Sequence, residues 1–192
     1  MRIFYAVKFA DYVKAALADN LPEIQKHTLK GNFTEKENFH ITMVFVGECE
    51  PNQIEALRKV VDNSVAKLKL SPVKATIDGL ATFARPGEEL LWAGVKTEPE
   101  NILQKISRTI FEELSALGIK LKDENKKFTP HVTMARKVEF WRISSKDVQQ
   151  IKFTPVNFTI NSITLMESVQ ENTYGENRNT KVIYKPIYEG KF

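Results

Sequence analysis

The chain has 192 residues, 28 basic against 24 acidic side chains for a formal charge of +4, 42% hydrophobic residues and 27% charged ones. That is the balance of one globular domain with room for a sizeable core. A single cysteine, Cys49, excludes an internal disulfide framework and fits a reducing compartment, and no apolar run approaches the roughly 18 residues of a membrane span. A cytoplasmic location without membrane association is therefore expected, and the modest positive charge permits an anionic partner such as RNA without demanding one.

Arg2 to Phe9 is β-branched and aromatic enough for a strand; Lys8, Asp11 and Lys14 argue against a signal peptide. Asp11 is placed to cap a helix from Tyr12, with Val13, Leu17 and Leu21 on one face until Pro22 breaks it. Asn38 to Gly47 reads as the next strand. Pro51 to Leu68 reads as a helix with Pro51 in its first turn and a stripe of Ile54, Leu57, Val61, Val65 and Leu68. Val73 to Phe83 and Glu89 to Thr97 read as strands joined by a turn at Arg85-Pro86-Gly87. Thr97 and Glu100 have capping-box spacing for a helix that carries Ile102, Leu103, Ile106, Ile110, Leu114 and Leu117 and stops at Gly118. A charged stretch from Lys120 to Lys127 precedes a strand from His131 to Lys137 and a short helix near Ser145 to Ile151. Two further strand regions, about Val156 to Ser168 and Lys181 to Tyr188, flank a polar loop at Glu171 to Asn179.

The order strand, helix, strand, helix, strand repeats, which implies an internal duplication within one bilobal domain over 1–192. Because strands and helices mix without strict βαβ alternation, the expected class is α+β. Two pseudo-symmetric lobes, each a mostly antiparallel sheet with helices on its outer face, would share a central cleft.

Two tetrapeptides mark that cleft: His40-Ile41-Thr42-Met43 and His131-Val132-Thr133-Met134, their histidines 91 positions apart. With threonine at 14 of 192 positions, two of three histidines followed by Thr at i+2 is a coincidence of about one or two chains in a hundred, and the matched neighbours lower it further. On a strand, i and i+2 point to one face about 7 Å apart, so each His–Thr pair faces one side. If the lobes pack about a pseudo-two-fold axis, two imidazoles and two hydroxyls line one cleft. With ordinary pKa values near 6.5, one imidazole can accept a proton while the other donates one. Hydroxyls can bind phosphate oxygens, so the set suits acid–base displacement at phosphorus without metal.

Asn-Phe-His-Ile-Thr-Met-Val-Phe-Val-Gly-Glu (38–48), Phe-Thr-Pro-His-Val-Thr-Met-Ala-Arg (128–136) and Leu-Leu-Trp-Ala-Gly-Val (90–95) resemble the 2H phosphoesterase superfamily. Within it the resemblance is greatest to the RNA 2′,3′-cyclic phosphodiesterases, also called the 2′-5′ RNA ligase family. It spans nearly the whole chain and implies a two-lobed α+β fold with no metal or cofactor. It also implies an RNA or oligoribonucleotide substrate whose terminal 2′,3′-cyclic phosphate opens to a 2′-phosphate. By the same resemblance His40 is the proton donor to the leaving oxygen and His131 the base that activates water. Thr42 and Thr133 hold the phosphate, helped by Arg136, a basic position after the second motif. The segment Glu171-Asn172-Thr173-Tyr174-Gly175 only loosely matches the family's Gly-rich turn. Two alternatives stay open: a 2H enzyme for another cyclic phosphate or for 2′-5′ oligonucleotides, ligation included, and a non-catalytic RNA-binding module. A monomer is expected. His27 reads as a surface histidine with no ligand spacing around it. Trp92 and Phe128 read as packing under the sheets, Lys126, Lys127 and Lys137 as solvated charges, and Arg85 as a structural turn residue.

Overall fold

A computed structural model describes residues 1–84, 89–119, 121, 127–172 and 180–192. The Arg85-Pro86-Gly87 turn, Lys126 and positions 173–175 of the polar loop lie outside the described residues. The described chain runs β1 (Arg2–Lys8), α1 (Asp11–Ala18), α2 (Leu21–Gln25), β2 (Thr28–Phe33), β3 (His40–Glu48), α3 (Ile54–Leu68), β4 (Val73–Phe83) and β5 (Leu90–Glu98). It continues with α4 (Ile102–Ala116), β6 (His131–Phe140), β7 (Val156–Ile160), β8 (Ser162–Asn172) and β9 (Thr180–Lys191).

The strands form a curled sheet in the order β7-β4-β5-β6-β3-β1-β8-β9, with β2 added beside β6 and every described pairing antiparallel. Read from the β3–β6 junction outward, the two sides match: β3 and β6, β1 and β5, β8 and β4, β9 and β7. These are the two lobes of an α+β fold. They are joined in the ladder where Ile41 pairs with Val132, the middle residues of the two His-x-Thr motifs. The pseudo-two-fold axis therefore passes between the two motifs.

The helices cover one face of the sheet: α3 lies on β8 and β9, α4 on β3 and β5, and α1 against β7. Val13, Leu17, Leu57, Val61, Leu103, Ile106, Ile110 and Leu114 are buried there with Ile41 and Val132. Each fully buried aliphatic side chain contributes about 1.5–3 kcal/mol relative to an exposed one. Tyr5 spans the layers by donating to the Leu57 carbonyl at 2.9 Å. Gly190 of β9 sits under α3, where a Cβ would run into Val61.

Several boundaries depart from the sequence reading for local reasons. Asp11 is the first residue of α1 and not its cap; the N-cap is Ala10. Leu21 opens a separate short helix with Pro22 in its first turn. β5 runs on to Glu98, so Thr97 donates to the Pro99 carbonyl and caps nothing; Asn101 leads into α4 from a left-handed conformation. The expected helix near Ser145 is one 3₁₀ turn at Val148–Gln150, and the region from Val156 splits at Asn161 into β7 and β8. β2, Thr-Leu-Lys-Gly-Asn-Phe, has too little apolar alternation to be read from sequence.

Candidate active site

β3 and β6 carry one burial pattern over their first six residues. Ile41, Met43 and Val44 are buried, as are Val132, Met134 and Ala135; the histidines and threonines are half-buried; Phe45 and Arg136 are exposed. The two consecutive buried residues mark a β-bulge in each strand. Ala6 pairs with Thr42 and Tyr5 with Val44, leaving Met43 extra; Trp92 pairs with Thr133 and Leu91 with Ala135, leaving Met134 extra. A bulge resets the alternation of faces. It turns Phe45 and Arg136 onto the His–Thr face, where a regular strand would have sent them into the core. Each bulge carbonyl has a donor from elsewhere: Ser107 of α4 donates to Met43 at 3.1 Å, and the Thr34 amide to Met134 at 2.9 Å.

The pairing of Ile41 with Val132 puts both of these side chains in the core, so His40, Thr42, His131 and Thr133 share the opposite face of the sheet. The Arg136 charge acts on both imidazoles. All five residues singled out from the sequence thus lie on one face about the axis.

The imidazoles are held alike. His40 Nδ1 lies 2.7 Å from the Asn38 carbonyl and His131 Nδ1 2.7 Å from the Thr129 carbonyl, each two residues upstream. A carbonyl accepts only, so Nδ1 carries the proton in both rings and the neutral ring turns its Nε2 lone pair outward. Thr42 Oγ1 lies 2.9 Å from His40 Nε2 and donates to it when the ring is neutral; the matching bond between Thr133 and His131 is not formed. Burial pushes His40 down to about 4; the Asn38 carbonyl opposes this, and the charges on Arg136 and His131 add to it. Burial also pushes His131 below the ordinary histidine value, against the Thr129 carbonyl and with Arg136. Both rings are therefore neutral at pH 7 in the free protein, and both lie below the near-6.5 values expected of unperturbed histidines.

Aromatic side chains that the sequence did not assign to the cleft frame both rings. Phe4 and Tyr184 lie 5.2 and 4.7 Å from His40, centroid to centroid. Phe83 and Trp92 lie 5.1 and 5.8 Å from His131 and stack on each other at 4.8 Å. Trp92 is thus a cleft residue, placed there because its register partner is Thr133; Phe128 packs against the core as expected. Asn38 was also missed: its Nδ2 donates to the Val182 carbonyl at 2.8 Å, tying β9 to the segment whose carbonyl orients His40. Its place two residues before His40, matched by Thr129 before His131, was the available signal. His27 lies 3.7 Å from Glu23 and leads into β2 beside the far end of β6, where its carbonyl accepts from the Trp141 amide at 2.7 Å; no contact joins it to His40 or His131.

Fold and paired motifs together define a 2H phosphoesterase. Residues 8–185 match the family model described as "AKAP7 2'5' RNA ligase-like domain", and the chain belongs to that family. It is similar to an RNA 2′,3′-cyclic phosphodiesterase of Thermotoga maritima, 25% identical over 194 residues covering 100% of this chain and 96% of the relative. It is also similar to one of Archaeoglobus fulgidus, 29% identical over 138 residues, 71% of this chain and 72% of the relative. The fold superposes on Escherichia coli LigT complexed with 3′-AMP with a TM-score of 0.70 at 17% identity, covering 99% and 97% of the two chains. Among the described residues no helix is long and apolar enough to cross a membrane.

Proposed function

We propose that this protein hydrolyses a terminal RNA 2′,3′-cyclic phosphate to a 2′-phosphate by metal-independent acid–base catalysis. The observation that carries the reading is the Ile41–Val132 pairing, which sets two Nδ1-anchored imidazoles and two hydroxyls on one face of the sheet. In the proposed step His131 Nε2 takes a proton from water as the water oxygen bonds to phosphorus. The bond from phosphorus to O3′ breaks, and His40 Nε2–H gives its proton to O3′. Thr42, Thr133 and Arg136 hold the non-bridging oxygens. The relatives named RNA 2′,3′-cyclic phosphodiesterase support this substrate class.

The lowered His40 value adds a condition. His40 can donate only once protonated, and an entering phosphate anion supplies the charge that favours imidazolium. Substrate therefore arms the acid. Among the described residues the site offers imidazole and hydroxyl without a cluster of carboxylates or thiolates, a poor home for a divalent cation.

The test is to incubate the protein with EDTA and an oligoribonucleotide ending in 2′,3′-cyclic phosphate and to identify the product isomer. Undiminished formation of the 2′-phosphate is expected. A 3′-phosphate product, or activity lost in EDTA and restored by zinc or magnesium, would overturn the mechanism. A parallel panel of 2′-5′-linked oligonucleotides separates the other 2H substrates.

A further inference from the structure

The β8–β9 hairpin runs on past the sheet that holds it. β1 pairs with β8 only as far as Ser168, opposite Arg2, while β8 and β9 stay paired with each other to Asn172 and Thr180. Among the described pairings the hairpin is therefore a two-stranded ribbon from Val169 onward. Within the sheet β9 is three strands from β3, roughly 14 Å at about 4.8 Å per strand. The ribbon nevertheless meets the entry to β3. Asn38 Nδ2 donates to the Val182 carbonyl at 2.8 Å, and the Tyr184 ring lies 4.7 Å from His40 and 5.2 Å from Phe4, centroid to centroid. Two-stranded ribbons twist more than sheet interiors, and this one coils back across the His40 half of the cleft. The His131 half has no such strap: the counterpart of β9 is β7, whose five residues are all paired with β4.

One residue joins the ribbon to the ring it covers. The Asn38 carbonyl accepts from His40 Nδ1 at 2.7 Å, while the Asn38 side chain holds Val182, 144 positions away. We propose that Asn38 is a positioning residue for the acid: its bond to Val182 clasps the β8–β9 ribbon across the cleft, and the clasped ribbon, through Tyr184, shields His40 from water and fixes its ring. The role of His40 as acid rests on the hydrolase reading above; the clasp does not. The charges that face His40 come from other elements, His131 and Arg136 of β6 and its register partner Lys8 of β1, which lies 3.6 Å from Glu189 of β9. Cutting the clasp leaves them in place, because Glu189 pairs with Thr164 in the part of the hairpin that β1 holds through Ala6.

The experiment follows the imidazoles of His27, His40 and His131 by long-range 1H–15N NMR through a pH titration. It uses wild type, Asn38→Ala, Tyr184→Ala and Tyr184→Phe. Asn38→Ala removes the clasp and keeps the carbonyl that His40 uses. Water should then reach the ring, and the His40 titration should move up by about one pH unit while His131 stays nearly where it was. Tyr184→Ala should do the same, and Tyr184→Phe, which keeps the aromatic ring, should titrate as wild type. In Asn38→Ala, kcat on an oligoribonucleotide ending in 2′,3′-cyclic phosphate should fall roughly 10-fold as the acid loses its fixed orientation. An unmoved His40 in Asn38→Ala or in Tyr184→Ala, or a rise shared equally by His131, would overturn the clasp. A wild type that opens no cyclic phosphate would sink the hydrolase reading instead, and the titrations would still decide the clasp.

Discussion

The His40 and His131 half-sites begin from the same four-residue pattern and the same bulge, and each ring is anchored through Nδ1 to a carbonyl two residues upstream. Their surroundings then diverge. His40 is enclosed by Phe4 and Tyr184 and receives Thr42 on Nε2, and burial pushes it down to about 4. His131 meets the Phe83–Trp92 stack, lacks the threonine bond, and has as register partner Gly94 where His40 has Lys8. What the strands set alike is where each proton can sit; what neighbouring strands set differently is how readily each ring takes one. In the proposed mechanism that division lets a near-symmetric frame run an asymmetric reaction, with one ring as acid and the other as base.

The largest expected effects come from removing either ring. His40→Ala and His131→Ala should each lower kcat by roughly 10²–10⁴, the contribution of a positioned acid or base. Steady-state kinetics on the cyclic-phosphate oligonucleotide checks this, and a fully active His131→Ala would end the paired reading. The wild-type pH profiles sharpen the comparison. The kcat/KM profile reports the free enzyme, where both rings are shifted down, so its bell should peak below the ordinary histidine value of about 6.5. The kcat profile reports the complex, where the phosphate raises both, so it should peak at higher pH. The limbs belong to the coupled pair. Coincident profiles would mean that the phosphate does not arm His40.

Stability should separate the halves next. His40 is held down to about 4, while in the unfolded chain it titrates near 6.5. Between these values the unfolded state binds more protons, so stability is full above pH 6.5 and falls as pH drops toward 4. The loss is at most about 3 kcal/mol, since part of the ring still meets solvent. His131 acts in the same direction. Thermal melts from pH 7 to 4 should show His40→Gln flattening this dependence more than His131→Gln. The reverse order would mean that His131 is the more strongly perturbed ring.

The difference between the half-sites is also what the sequence could not display. The two His-x-Thr motifs, their shared face, the α+β class and the cleft were legible because they depend on period-2 alternation and a repeat, both local in sequence. Arg136 could be reached only by resemblance, because strict alternation would have buried it; the bulge at Met134 is fixed by pairing with Leu91 and Trp92, which a single strand does not encode. Tyr184 comes to His40 from a strand 144 positions on through the curl of the sheet, and nothing near Tyr184 announces it. The strand β2 was invisible for a related reason: its polar sequence is ordered by β6, not by a face of its own.

The smallest difference lies in the two hydroxyls. Thr42 Oγ1 is engaged by His40 Nε2 at 2.9 Å in the free protein, so binding a phosphate oxygen there exchanges one hydrogen bond for another. Thr133 makes no such bond to His131 and gains the whole charge-assisted interaction. A hydrogen bond to a charged group contributes about 1.5–3 kcal/mol, and a net exchange about 0.5–1.5 kcal/mol. Thr133→Val should therefore weaken inhibition by inorganic phosphate roughly 10- to 100-fold, and Thr42→Val roughly 3- to 10-fold. Valine keeps the shape of threonine and removes only the hydroxyl, and the half-buried position of both side chains makes the fold tolerant of it. Inhibition constants measured at pH 7, where both rings are neutral in the free protein, give the comparison directly. An equal or larger loss in Thr42→Val would show that its bond to His40 does not compete with phosphate, and the two hydroxyls would then be equivalent despite their unequal surroundings.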